Sequence, residues 1–322
     1  MSLLANYDAL LLDLDGVVYR GRGAVPHAVE VLDAAVAAGL RLGFVTNNAA
    51  RPPAEVADHL ASLGVAASPD QVVTSAQVGA DLLAERIPAG ARVLAIGGPG
   101  VGLALAERGF EPVLAADEAA MGRSDREIGR QVAGVLQGFG PAVNWHDLAV
   151  ASYSVDEGAA WVATNTDRTI PRADGIAPGN GTLVAAVTAA TGVTPPAAGK
   201  PAAAMMLLAA QRLGSSRPLA IGDRLDTDVR GAAAAGVDSL VVLSGVSTIE
   251  DVLAAGPQDR PTYLSSDLRG LLGDPATLDG SGVAASGSEQ EIADLVRACW
   301  QQTAEVPAAA GRIRSLLGGG NR

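Results

Sequence analysis

The sequence predicts an α/β protein: a Rossmann-like core built on a parallel sheet, with a smaller α/β domain inserted into it. Three observations carry this. Strand-like and helix-like segments alternate through the N-terminal third, and the same alternation returns near the end. Between them lie about a hundred residues with a βα pattern of their own. A parallel crossover needs only a dozen or so residues, so the middle stretch reads as a second domain.

The elements follow in order. Ala9–Leu14 is a nearly continuous apolar run ending in acids, as a strand buried on both faces reads. Pro26 opens a helical stretch with apolar Val29, Leu32 and Val36, and Gly39 stops it. Arg41–Thr46 is a second strand, Pro52–Leu63 a helix closed by Gly64, and Val72–Thr74 a third strand. In the middle stretch Arg92–Ile96, Val132–Gln137 and Ala159–Thr164 read as strands, separated by helical segments around Val101–Arg108 and Val143–Ser154. Later come the helix Pro201–Leu213, the strand Pro218–Ile221, the helix Asp228–Ala235 and the strand Ser239–Leu243. The expected division is core over residues 1–78 and 184–272, an inserted α/β domain over 79–183, and a partly helical extension over 273–322. That extension begins with the punctuated LDGSGVAASGSE, has a helix near Gln290–Glu305 and ends in GGGNR.

Composition excludes several classes. At 322 residues, 48% hydrophobic and 18% charged, the chain can bury a substantial core and is not a disordered protein. It has no apolar run near the roughly 18 residues of a membrane span and no basic leader before an apolar stretch, so a soluble, cytoplasmic protein is expected. With 23 basic and 35 acidic residues its net charge of −12 repels nucleic acid and anionic membranes. The lone Cys299 cannot form an internal disulfide, and His27, His59 and His146 offer no histidine-built zinc site.

Four strand ends carry chemistry. Asp13-Leu14-Asp15-Gly16 ends the first strand, at the edge where open parallel sheets bind ligands. The chain turns at Gly16, so both carboxylates can crown the strand end; carboxylates forced together call for a hard cation such as Mg²⁺. A plain strand-to-loop turn uses the same residues. Thr46-Asn47-Asn48 ends the second strand and offers a hydroxyl, amides and backbone N–H groups to an anion; it equally suits an Asx turn. Lys200, before Pro201 at a helix start, is electrostatically sensible where an anion sits between its ammonium and the helix, though an exposed lysine also fits. Asp223 and Asp228, in Gly222–Asp228, can reach a cation held by Asp13 and its waters; Asp226 or Thr227 can cap the next helix. No P-loop is present, because Thr194 stands at its first glycine position and Pro201 at its Ser/Thr. GGPGVG at residues 97–102 misses the dinucleotide spacing at Leu103, and no GxSxG occurs.

The order of acid, hydroxyl, base and acid resembles the haloacid dehalogenase superfamily, in its NagD and p-nitrophenyl-phosphatase-like group with a large α/β cap. Trp161–Asp167, Pro171 and Pro178–Ala186 look like that group's cap-to-core return, and the resemblance spans about residues 7–270. Within the group, NNAARP, VVTSAQ, AGKPA and GDRLDTD are most like actinobacterial glycerol-3-phosphate phosphatases. Ile170 stands where eukaryotic pyridoxal-phosphate phosphatases carry histidine, which counts against pyridoxal phosphate, and Gly140 replaces an acid common among relatives.

The resemblance implies a Mg²⁺-dependent phosphatase for small phosphorylated metabolites. Asp13 is implied as the nucleophile that forms an aspartyl-phosphate, and Asp15 as the acid and then the base. Mg²⁺ is implied to sit on Asp13, the Asp15 carbonyl and Asp223, with Asp228 orienting its waters. Thr46, Asn47, Asn48 and Lys200 are implied to hold phosphoryl oxygens. Asn165 and Asp167, at a cap strand end, are candidates for the substrate-facing surface, or shape a turn there. Glycerol 3-phosphate is the expected substrate. A phosphotransferase or mutase on the same fold, or a phosphatase for pyridoxal phosphate, sugar phosphates or nucleotides, stays as the alternative. A homodimer through the cap domain stays open as an assembly.

Overall fold

The computed structural model of the chain describes residues 2–172, 174–279 and 287–318. Two units divide it: residues 1–45, 58–72 and 201–322 form one, and 46–57 with 73–200 the other.

The first unit is built on a seven-stranded sheet. Its order is Ala276–Thr277, Tyr263–Ser265, Asp238–Val242, Pro218–Gly222, Ala9–Leu12, Arg41–Thr46 and Val72–Thr74, the division between units running through the last two. From Tyr263–Ser265 to Arg41–Thr46 neighbouring strands pair in parallel, with Leu10 opposite both Leu219 and Leu42; the edge strand Ala276–Thr277 runs antiparallel. Ala9–Leu12 is buried throughout, as central parallel strands covered on both faces must be. The mostly parallel α/β core matches the expected fold class.

Local sequence explains where elements begin and end. Helix Ala28–Ala37 buries Ala28, Val31, Leu32 and Ala35, a 3.6-residue stripe. Val36 lies off that stripe and is 54% exposed, so the apolar positions Val29 and Val36 were not the core-facing ones. The regular helix expected from Pro201 begins at Ala204, and the one expected from Asp228 begins at Arg230 after a π-helical turn over Leu225–Val229. In that turn Val229 N–H donates to Arg224 O at 3.2 Å, one residue farther back than an α-helix reaches.

The C-terminal extension holds two helices where one was expected, Ser288–Trp300 and Val306–Gly318. Gln302 adopts φ 60°, ending the first, and Pro307 suits the opening turn of the second because its missing N–H has no intrahelical partner there. Ile292, Val296 and Ile313 join the core cluster of Val241, Val252 and Leu264, and Trp300 Nε1–H donates to Val252 O at 2.8 Å. The extension is thus part of the first unit's core. Residues 280–286 of the punctuated stretch and the terminal 319–322 lie outside the described residues.

The second unit has its own four-stranded parallel sheet, in the order Glu111–Val113, Arg92–Ile96, Gly134–Gln137, Ala160–Ala163. Its core gathers Leu94, Ile96, Ile128, Val150 and Trp161, and the helix Asn180–Thr191 adds Val184 and Val187. A hairpin pairs Thr169–Arg172 with Gly175–Pro178.

At the N-terminal edge of the larger sheet, Asp8 ties three strands. Its carboxylate accepts from Ser215 Oγ, from Ser216 N–H at 3.0 Å and from Arg217 N–H at 3.2 Å, and pairs with Arg41 at 3.2 Å. Burial raises the carboxyl's pKa, but the hydrogen bonds from Ser215, Ser216 and Arg217 together outweigh it and hold the group well below the usual carboxylate range. A depressed carboxylate contributes stability above its unfolded pKa and loses it as pH falls toward the folded one. Asp8→Ala is expected to lower stability at pH 7 by about 2 kcal/mol. Urea unfolding should show the gap to the parent narrowing as pH drops below 4, the region under an unfolded aspartate's pKa of about 3.9.

Candidate active site

At the opposite edge of that sheet the carboxylates gather. Asp13 follows the strand Ala9–Leu12 and continues its ladder, donating its N–H to Ile221 O at 2.8 Å. The chain then turns sharply: Leu14 O accepts from Val18 N–H at 2.9 Å and Tyr19 N–H at 3.1 Å, and Gly16 takes φ 85°. The next strand, Pro218–Gly222, delivers Asp223, and the π turn delivers Asp228. One carboxylate oxygen from each of Asp13, Asp223 and Asp228 lies within 4.8 Å of the others. Asp223 and Asp228 are buried and Asp13 is half-buried. Asp15 is exposed, with the wholly buried Leu14 between it and Asp13.

Glycines make this approach feasible. A Cβ on Gly16 would overlap Asp223 Oδ2 and lie 2.8 Å from its Cγ, and one on Gly222 would overlap Asp228. Asp223 Oδ2 accepts Val246 N–H at 2.7 Å and Asp228 Oδ2 accepts Arg224 N–H at 3.1 Å, so one oxygen of each is oriented by backbone. Asp226 turns away to a bidentate pair with Arg224, at 3.0 and 2.8 Å, whose hydrogen bonds hold its carboxyl below the usual range. The helix cap expected from Asp226 or Thr227 is not formed: both lie inside the π turn, and the helix that follows begins after Val229 with no side-chain cap.

Three carboxylates this close repel one another strongly in a low-dielectric setting unless a cation or protons intervene. The donor set is all oxygen, with no thiolate or imidazole. That chemistry fits a hard divalent cation such as Mg²⁺ or Ca²⁺ and not a thiolate-seeking metal.

The second unit holds the other candidate residues. Thr46 is buried, and its Oγ1 accepts Asn48 N–H at 3.1 Å, while Asn48 Oδ1 accepts Ala50 N–H at 2.9 Å. Asn47 embraces Lys200: its Oδ1 accepts Lys200 N–H at 2.8 Å and its Nδ2 donates to Lys200 O at 3.1 Å. Gly199 permits this closeness, since a Cβ there would lie 2.6 Å from Asn47 Oδ1. Asn165 Nδ2 donates to Asn47 O at 2.8 Å, its Oδ1 accepts Asp167 N–H at 3.2 Å, and Asp167 Oδ2 accepts from Asn47 Nδ2 at 3.2 Å. Thr46, Asn47, Asn165, Asp167 and Lys200 therefore form one connected turn structure. Ser75, whose hydroxyl donates to Asn47 O at 2.7 Å, and Asn180, whose Nδ2 donates to Asn165 O at 2.8 Å, brace it; both sit in stretches that carry the resemblance, VVTSAQ and Pro178–Ala186, but were assigned no role there.

Comparison with known proteins gives consistent likenesses. Residues 10–111 match the haloacid dehalogenase-like hydrolase family and residues 197–271 the HAD-hydrolase-like family, together more than half of the chain. The chain is 44% identical over 270 residues to a D-glycerol 3-phosphate phosphatase of Mycobacterium tuberculosis, covering 84% of this chain and 72% of that one. It is 36% identical over 267 residues to an acid sugar phosphatase of Staphylococcus aureus, covering 82% of this chain and 96% of the relative. The crystal structure of a M. tuberculosis glycerol phosphate phosphatase in complex with magnesium superimposes with TM-score 0.84 at 38% identity, over 98% of this chain and 99% of that one. A p-nitrophenyl phosphatase from Archaeoglobus fulgidus does so with TM-score 0.72 at 26% identity, over 83% and 98%.

Removing the Asn165 amide takes one of two donors from the Asn47 carbonyl, which keeps Ser75, and leaves the part-buried Asp167 N–H without its acceptor. Asn165→Ala is expected to cost about 1–3 kcal/mol of stability, read from urea unfolding at neutral pH.

Proposed function

This chain belongs to the haloacid dehalogenase-like hydrolases, and from that premise we propose that it is a Mg²⁺-dependent phosphatase of small phosphomonoesters. The observation that carries the reading is the convergence of Asp13, Asp223 and Asp228 oxygens within 4.8 Å at adjoining strand ends. Asp13, Asp223, the Asp15 carbonyl and, through water, Asp228 would hold Mg²⁺, which supplies neutralising charge so that one anion can meet another. Asp13 attacks phosphorus in line, and the alcohol leaves as an aspartyl-phosphate forms; water then attacks that phosphorus and frees Asp13. Asp15, exposed on the turn after Asp13, donates a proton to the departing alkoxide and later removes one from water. Thr46, Lys200 and the turn of Asn47 and Asn48 take the phosphoryl oxygens. Residues 79–183 act as the cap that excludes water and reads the leaving group, with Asn165 and Asp167 fixing the turn at its strand end.

Glycerol 3-phosphate is the substrate this reading favours. Its support is the 44% identity to a D-glycerol 3-phosphate phosphatase, a stronger likeness than the 36% to an acid sugar phosphatase. The global charge of −12 favours a small substrate gathered by a metal over a polynucleotide. A cytoplasmic location accords with a single, buried cysteine, and no helix among the described residues is long and apolar enough to cross a membrane. The reading includes a homodimer through the cap: Trp145 and Ile176, 77% and 72% exposed, are apolar surface that a second copy would cover. Light scattering of the purified chain should return a dimer mass, reduced to a monomer by Trp145→Lys with Ile176→Lys.

Phosphate release from a panel of glycerol 3-phosphate, p-nitrophenyl phosphate, pyridoxal phosphate, sugar phosphates and nucleotides tests the activity. Release should require Mg²⁺ and be greatest with glycerol 3-phosphate. It should fall by about a thousandfold or more in Asp13→Asn, and about a hundredfold in Lys200→Ala. Transfer to an added alcohol in preference to water would assign a phosphotransferase instead.

A further inference from the structure

The strand Asp238–Val242 contributes no carboxylate to the group of three, yet the loop that follows it touches both segments that do. Ser244 Oγ–H donates to Gly16 O at 2.7 Å, on the turn after Asp13. Val246 N–H donates to Asp223 Oδ2 at 2.7 Å, and Ser247 N–H donates to Asp223 O at 2.9 Å. Ser247 Oγ accepts Leu225 N–H at 3.2 Å, at the start of the π turn that carries Asp228. Between the two serines, Gly245 lies against Asp223: a Cβ there would overlap Asp223 Oδ2, Cβ and Cγ. Gly245 Cα in turn stands 3.0 Å from where a Gly16 Cβ would be.

Sheet order makes this span notable. Asp238–Val242 is next to Pro218–Gly222 and one strand removed from Ala9–Leu12, so the loop reaches across the middle strand to the Asp13 turn. Such a bridge fixes the separation of two carboxylate-bearing strand ends, which strand pairing alone sets only up to their last paired residues.

We propose that the Ser244–Ser247 loop is a positioning clamp that sets divalent-cation affinity at the Asp13–Asp223–Asp228 group. Gly245 leaves the volume in which the Asp223 carboxylate lies. Val246 N–H holds Oδ2 and so fixes the direction of the other oxygen, while Ser244 and Ser247 lock the loop to the two turns it spans. None of the four belongs to the carboxylate group itself; each acts through Asp223, through the Gly16 turn or through the π turn. The inference rests on the reading of this group as a metal site.

The test is Mg²⁺ binding to the metal-stripped full chain by calorimetry, with the Mg²⁺-induced rise in melting temperature as a second readout; neither depends on turnover. The parent is expected to bind. Outer-sphere partners of metal ligands typically contribute tenfold to a hundredfold in affinity. Ser244→Ala and Ser247→Ala should therefore bind Mg²⁺ about tenfold more weakly, and Gly245→Ala about a hundredfold. Their far-UV spectra should match the parent, any fall in metal-free urea midpoint should be no larger than losing one contact or hydrogen bond produces, and Ser247→Thr should restore affinity. Parent-like Mg²⁺ affinity in Gly245→Ala and Ser247→Ala would overturn the clamp while leaving the metal site intact. A parent that shows no Mg²⁺ binding by either readout would overturn the metal reading, and the clamp with it.

Discussion

Mutual repulsion among Asp13, Asp223 and Asp228 is the constraint around which the first unit is arranged. Carboxylate oxygens within 4.8 Å of one another, two of the three side chains buried, need a framework that brings them together and holds them there. Parallel pairing of Ala9–Leu12 with Pro218–Gly222 brings two strand ends level, with Leu12 opposite Ile221. Glycines at 16 and 222 then remove the side-chain volume that would push the acids apart. Backbone N–H groups of Arg224 and Val246 fix one oxygen each.

The two edges of the sheet separate stability from chemistry. At the N-terminal edge, Asp8 is surrounded by donors and an arginine, an acid whose charge the fold welcomes. At the C-terminal edge acids face acids. The same residue type is thus placed to stabilise at one edge and to strain at the other, and only neighbours distinguish them. In the second unit, Asn47 performs a related service by gripping the Lys200 peptide at both N–H and carbonyl.

Much of the carboxylate group was legible in the sequence because its signals are side chains at strand ends. Asp13 follows an apolar run and Asp223 follows another, so period and position together announce them. Gly245 and Val246 were invisible for the opposite reason: one contributes an absent side chain and the other a backbone N–H, and neither has a chemical signature. Asn47 shows a different limit. An amide in TNN reads equally as an anion ligand or a turn former, and only its partner, the Lys200 peptide, tells what its side chain holds. The core was read well from strands and less well from helices: Val36 has the right character for burial yet lies off the buried stripe. In the tail, Pro307 was the missed mark of a second helix, since proline in a helical run opens an element more readily than it continues one.

The π turn over Leu225–Val229 sets local helix energetics against the direction of one side chain. An ordinary α-helical turn advances roughly 100° per residue, so one residue inserted at the start of a helix re-aims everything before it relative to everything after. Arg224 O accepts from both Asp228 N–H at 3.0 Å and Val229 N–H at 3.2 Å, the mark of a helix accommodating one residue too many. Excising that residue would return the segment to a better-bonded helix and swing Asp228 away from Asp223. A more regular helix at this point would therefore trade the approach of Asp228 to Asp223 for one better hydrogen bond, so the same turn cannot serve both ends.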